Sequence, residues 1–322
     1  MTPLTATDPV SVGPFRLLGV LGSGGMGRVY LGESPAGRRV AIKVIRADLA
    51  EDPVFRVRFQ REVTAARSVS PLYTAAVVDA DTTAQAPWFA TTYIDGPSLT
   101  VLVEAQGPLA AGAVLTLGAG LAEALASIHS AGLVHRDLTP GNIILDDAGP
   151  HIIDFGIAIA PNATKLTTDR MMLGTPSYIA PEVIEGHPAG PASDVFALGA
   201  ILAFAVLGKH LVNEGPMHAQ ILQIVRARFD LEAVPKEIRP LIVRCTAANP
   251  GERPTAPELV RVLLDAGVAR PSPGWFTSPA TAPPIKIPTG SGRRFSRRGL
   301  LITAGIAGLA AAAAGASALA SS

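Results

Sequence analysis

His135-Arg136-Asp137-Leu138-Thr139-Pro140-Gly141-Asn142 gathers an imidazole, a guanidinium, a carboxylate and a carboxamide into one short stretch. It follows residues 110–129, which read as a helix that is apolar on most sides and is therefore expected inside the core of a larger lobe. Residues 194–207 read the same way. Upstream the pattern changes. Strand-like runs at 15–21, 29–32 and 39–45 are divided by glycine-rich turns. Asp52-Pro53 then opens a helix, because the carboxylate can cap free amides and proline suits the first turn. Phe55, Phe59 and Val63 recur at helical spacing behind it. Strands first and helices afterwards make an α+β chain in two lobes, a small β-rich N-lobe and a larger helical C-lobe.

In the strand region, Gly22-Ser23-Gly24-Gly25-Met26-Gly27 matches G-x-G-x-x-G. The same string serves dinucleotide-binding folds, where a helix opens on the last glycine and an acid follows about 20 residues on. Here Arg28-Val29-Tyr30-Leu31 is strand-like instead, and Ala41-Ile42-Lys43 arrives on the next strand. A glycine hairpin over a triphosphate, with a lysine on the third strand, is the kinase arrangement. Missing side chains let backbone amides close over phosphates. Lys43 needs a carboxylate to hold it, and Glu62 in the helix after Asp52 is better placed than Glu51.

With Asp154-Phe155-Gly156 and Ala180-Pro181-Glu182 following in order, the stretch at 135–142 resembles the eukaryotic-like (Hanks-type) serine/threonine protein kinases of bacteria. The resemblance spans about residues 15–268, the expected kinase domain. It implies a protein kinase fold that uses ATP with magnesium, or manganese in its place, to phosphorylate proteins. Asp137 is then the catalytic base, Asn142 and Asp154 the metal ligands, Lys43 and Glu62 the catalytic ion pair, and His135 a structural core residue. Glu182 is implied to pair with Arg253, and Asp194 to brace the catalytic-loop backbone. Gly174-Thr175-Pro176-Ser177-Tyr178 resembles the serine/threonine type of substrate loop, with Thr175 bonded to the catalytic aspartate. By the same alignment adenine sits between Leu21, Val29, Ala41 and Ile144, its edge on the backbone of Thr92 to Ile94, with Thr91 at the gatekeeper position.

The sequence departs from the family at Thr139, where a lysine usually helps neutralise the transferring phosphoryl. Electrostatic help of that kind is worth roughly a few kcal/mol. Its absence favours one alternative, a membrane-bound ATP-binding scaffold with impaired catalysis. Arg136, next to the catalytic aspartate, implies control by a phosphorylated activation segment. Thr164, Thr167 and Thr168 are the acceptors available, with Thr167 preferred and Asp169 beside it.

The totals agree with a folded enzyme. The chain has 322 residues, 48% hydrophobic and 16% charged, which excludes a highly charged disordered chain. A net charge of +1 gives no footprint for nucleic acid. Cys245 is the single cysteine and sits among Leu241, Ile242 and Val243 as a core thiol. Residues 269–292 form a Pro-rich linker that contains Trp275 and Phe276, expected either to dock on the domain or to rest on a membrane surface. A basic juxtamembrane stretch, 293–298, carries Arg293, Arg294, Arg297 and Arg298. Residues 299–320 carry no charge and are long enough for a transmembrane helix. The arginines place the kinase side in the cytoplasm, giving a single-pass protein of the cell membrane. Related kinases pair through their N-lobes, so a homodimer is a further expectation.

Overall fold

Antiparallel pairing of β2 (Phe15–Gly24), β3 (Gly27–Glu33) and β4 (Arg39–Ile45) sets the two faces of the N-lobe sheet. Side chains alternate across a pleated strand. Tyr30, Val40, Ile42, Trp88 and Ala90 therefore share one face and form a small core with Phe15 and Leu17. Val29, Ala41, Lys43, Phe89 and Thr91 take the other face, because Val29 pairs with Lys43 and Ala41 with Thr91. With β1 (Ser11–Val12), β5 (Val77–Asp81) and β6 (Trp88–Thr92), the strand order is β1-β2-β3-β4-β6-β5. This computed structural model describes residues 1–154, 176–212 and 215–277.

Beyond a short α1 (Ala47–Ala50), α2 (Pro53–Ala66) starts as its sequence predicts. The Asp52 carboxylate accepts from the Val54 amide at 2.9 Å. Such a cap is worth about 1 kcal/mol. Phe55, Phe59 and Val63 are buried along one face, and Phe59 lies 6.1 Å from Phe89 between ring centroids. The Arg56 guanidinium donates to the carbonyls of Ala50 at 2.6 Å and Ala84 at 3.1 Å. These bonds fix α2 to the turn between β5 and β6.

The larger lobe is helical. α3 (Leu99–Gln106), α4 (Ala111–Ser130) and α6 (Pro191–Leu207) share the main core with Leu138, Ile143, Leu145 and Ile152. α4 is long and apolar enough to cross a membrane, with mean hydropathy 1.6, but 56% of that stretch is buried within the domain. It is a core helix. α9 (Ala256–Asp265) packs on it and α8 (Arg239–Cys245) on α6, while α5 (Pro181–Ile184) and α7 (Met217–Val225) share a smaller core with Phe196 and Val212. Thr255 and Glu258 cap α9 reciprocally.

Two features join the lobes to the site. The chain leaves β6 and passes close under the hairpin of β7 (Ile143–Asp146) and β8 (Gly149–Ile152). A Cβ on Gly96 would lie 2.1 Å from the Leu145 carbonyl, so only glycine lets the connection approach this closely. The Leu145 amide then donates to the Pro97 carbonyl at 3.0 Å. On the far side of the hairpin, Trp275 Nε1 donates to the Asp146 carbonyl at 2.7 Å, and the Gly274 amide to Asp147 at 3.0 Å. Trp275 and Phe276 pack against the main core. Of the two placements the sequence allows for this pair, the structure has docking on the domain. The segments 278–292, 293–298 and 299–320 lie outside the described residues, so the fold described is the two-lobed domain without the C-terminal hydrophobic helix.

Candidate active site

The catalytic-loop stretch is held from below by α6. Asp194, almost wholly buried, accepts from the His135 amide at 2.8 Å and the Arg136 amide at 3.0 Å. It also accepts from His129 Nε2 at 2.9 Å. His135 is fully buried; its Nε2 donates to the Ile153 carbonyl at 3.2 Å and its Nδ1 accepts from the Asp137 amide at 3.3 Å. That geometry needs the neutral ring with its proton on Nε2, a structural use of the imidazole. Arg136 adopts a left-handed φ of 63°, a conformation that costs a non-glycine residue about 1 kcal/mol or more. The three bonds to Asp194 and His135 overcome it.

Asn142 and Asp154 come together across the β7–β8 hairpin. The Ile153 amide donates to the Asn142 carbonyl at 2.9 Å. Asn142 Nδ2 donates to the Asp137 carbonyl at 2.8 Å, which leaves the amide oxygen as the group with free acceptor capacity. Asp154 has φ 60° and its carboxylate meets Lys43 Nζ at 2.5 Å. Lys43 stands on β4, so this ion pair closes the site between the lobes.

The expected Lys43–Glu62 pair is absent from this arrangement. Glu62 Oε1 instead accepts from Arg136 Nη1 at 2.8 Å, and Lys43 has Asp154. Two cations and two carboxylates have divided themselves differently, one pair at the sheet and the other between α2 and the catalytic loop. The other Glu62 oxygen, Oε2, is buried with no hydrogen-bond partner among the described residues.

On the upper side, Leu21, Val29, Ala41 and Ile144 are all partly exposed, in contrast to buried Tyr30, Ile42, Ile143 and Leu145 beside them. Ile144 Cγ2 lies against Gly96 of the connection. The Thr92 amide donates to the Ala76 carbonyl and the Tyr93 amide to that of Arg39, so both serve the sheet. Thr91 is buried opposite Ala41. The glycine hairpin turns at Gly25-Met26. At Gly27, with φ 154°, a Cβ would lie 1.9 Å from the Val44 carbonyl, so packing alone demands glycine there. At Gly22, Gly24 and Gly25 a Cβ would meet nothing within 4 Å. The fold itself does not require glycine at those three positions.

Below the substrate segment, Glu182 and Arg253 form a forked pair, with Nη1 and Nη2 each 2.8 Å from a carboxylate oxygen. Ser193 donates to the same carboxylate at 2.7 Å. Burial raises the Glu182 pKa, but the bonds from Arg253 and Ser193 outweigh it and hold the carboxyl below its ordinary range. Burial pushes the Cys245 thiol up to about 12, which makes it an inert core group. Thr164, Thr167, Thr168 and Thr175 lie outside the described residues, as do Phe155 and Gly156. The roles of His129 and Ser193 are not legible in the sequence: His129 serves Asp194 from a distant helix, and Ser193, although next to Asp194, serves Glu182.

Residues 15–263 match the protein kinase domain family. The chain belongs to that family. Among its relatives, the serine/threonine-protein kinase AfsK of Streptomyces coelicolor is 47% identical over 295 residues, covering 91% of this chain and 37% of AfsK. PknA of Mycobacterium tuberculosis, also a serine/threonine-protein kinase, is 34% identical, covering 88% of this chain and 68% of PknA. The crystal structure of the Mycobacterium tuberculosis PknI kinase domain superposes with TM-score 0.60 and 26% identity, covering 81% of this chain and 99% of that one. This chain thus spans just over a third of AfsK's length. Its kinship is with the bacterial serine/threonine kinases.

Proposed function

We propose that this kinase-family chain transfers the γ-phosphate of ATP to serine or threonine hydroxyls of proteins, its own activation segment included. The observation that carries the reading is the Lys43–Asp154 pair at 2.5 Å, which joins a cation of the sheet to a carboxylate just past the β7–β8 hairpin, where the neighbouring Ile153 amide donates to the Asn142 carbonyl. The unoccupied space at Gly22, Gly24 and Gly25 supports it, because glycine there suits close approach of phosphates rather than the needs of packing.

Asp137 accepts the proton of the attacking hydroxyl, and its loop is held still for this by Asp194 and His135. Lys43 orients the phosphates. Adenine lies between Leu21, Val29, Ala41 and Ile144, against the backbone from Thr92 to Ile94. The donor set fits a hard divalent cation: Asn142 offers an amide oxygen and Asp154 a carboxylate, and magnesium is commonly held by one or two such ligands plus substrate phosphates. When bound, the cation neutralises charge on the phosphates as it moves to the leaving group.

The tail at 293–320 completes the proposal. Four arginines before an uncharged stretch of spanning length suit a single-pass anchor, with the kinase domain on the cytoplasmic side. Pairing of two copies would then be favoured by confinement in the membrane. Fractionation of cells that express the full chain, with alkaline carbonate extraction, tests the anchor; release into the soluble fraction removes it.

For the activity, the full chain in detergent is incubated with labelled ATP and magnesium beside an Asp137→Asn variant. Label on the chain that is absent from the variant supports transfer. ATP binding without label on the chain or on a basic protein substrate favours the scaffold, the reading that Thr139 alone recommends.

A further inference from the structure

Arg46 follows β4 directly and reaches back to the tip of the glycine hairpin. Its guanidinium works as a fork with two tasks. Nε and Nη2 grip the Asp48 carboxylate at 3.0 and 2.9 Å, while Nη1 donates to the Gly25 carbonyl at 3.3 Å. The Arg46 amide also donates to the Met26 carbonyl at 3.1 Å. Two successive carbonyls at the tip are thus tied to one residue outside the hairpin. Met26 also packs toward the main core, but on the other side of the turn the tip is open, since a Cβ at Gly24 or Gly25 would meet nothing within 4 Å.

We propose that Arg46, oriented by Asp48, is a positioning residue that sets how closely the glycine hairpin covers the phosphates of the nucleotide. The inference rests on the ATP reading above and deepens it. As a surface ion pair, Arg46–Asp48 contributes little to stability, because both side chains are more than half exposed. Its consequence is geometric. A planar fork can serve a carboxylate and a carbonyl at once, which a lysine ammonium on a flexible stem cannot do in the same pose.

The test separates phosphate binding from adenine binding. Affinities of the full chain for ATP with magnesium and for adenosine are measured by calorimetry, together with thermal midpoints. Arg46→Ala is expected to weaken ATP about five-fold, the equivalent of one hydrogen bond worth about 1 kcal/mol, with adenosine affinity and thermal midpoint unchanged. Arg46→Lys is expected to behave like the alanine variant, and Asp48→Asn to show a smaller loss in the same direction. Unchanged ATP affinity in Arg46→Ala overturns the inference. So does an equal loss for ATP and adenosine, or full recovery in Arg46→Lys, which would leave charge alone as the cause. A wild-type chain that binds ATP no more tightly than adenosine overturns the ATP reading itself, and the inference with it.

Discussion

Arg136 donates to Glu62 at 2.8 Å, which ties the catalytic loop to α2 and takes the carboxylate away from Lys43. Glu62 nonetheless keeps a buried oxygen with no partner among the described residues, and a buried acceptor left unpaired costs about 1 kcal/mol or more. That oxygen is the natural second partner for Lys43 once the arginine withdraws. If Lys43 and Glu62 pair during turnover, Glu62→Gln should lower kcat about 100-fold, the scale of losing an electrostatic contact of the transition state. Steady-state kinetics on a protein substrate check this. Activity near that of wild type would leave Glu62 a purely structural partner of Arg136.

The same pair gives phosphorylation something to displace. A phosphothreonine carries nearly two negative charges and three acceptor oxygens, so it competes well against one carboxylate for a guanidinium. Thr167→Ala is therefore expected to lower activity at least about ten-fold, a smaller effect than loss of a catalytic group. Mass spectrometry of the active wild type should find phosphate on the segment that holds Thr164, Thr167 and Thr168. A fully active alanine variant with an unmodified segment would end this account of Arg136.

Thr139 invites a gain rather than a loss. Restoring a cation there with Thr139→Lys is expected to raise kcat about ten-fold, because charge aimed at the transferring phosphoryl acts chiefly in the transition state. The KM for ATP should change little. A variant that is no faster than wild type would mean that the charge is supplied from elsewhere in the site.

Much of the fold is legible in the sequence, and for definite reasons. Strand-like runs divided by glycine-rich turns, the Asp52 cap with Pro53, and the helix at α4, apolar on most sides, are local patterns, and local patterns set local structure. Asp194 beneath His135 and Glu182 beside Arg253 are what the family resemblance implies, and the structure has both contacts. The partner of Lys43 was not readable. Glu62, Arg136 and Asp154 come from three distant segments, and which cation meets which carboxylate depends on side-chain reach across the finished site. Arg46 was silent for another reason: a residue that bonds a backbone carbonyl leaves no mark on the sequence of its partner. Trp275 was ambiguous because an indole N–H suits a carbonyl and a membrane surface equally, and only the nearby Asp146 carbonyl settles its place.

The Glu182–Arg253 fork makes the clearest stability prediction. The arginine side chain is fully buried and the glutamate 13% exposed, so solvent screens the pair little. Arg253 also donates to the carbonyls of Ala247 and Ala192 at 2.8 and 2.9 Å, and lies 5.1 Å from the Phe196 ring centroid. Removing the opposing charge strands a buried cation, and Glu182→Gln should cost about 3 kcal/mol at neutral pH in denaturant unfolding. The sign of the pH dependence follows from the lowered folded-state pKa. A carboxyl held below its ordinary value of 4.5 contributes its full stability above that value and loses it as pH falls through the depressed one. The gap between wild type and Glu182→Gln is therefore expected to be flat from about pH 8 to about pH 6, then to close on further acidification below the ordinary carboxylate range. A gap that widens in acid, or none at neutral pH, would show that the fork does not hold the substrate segment to the helical lobe.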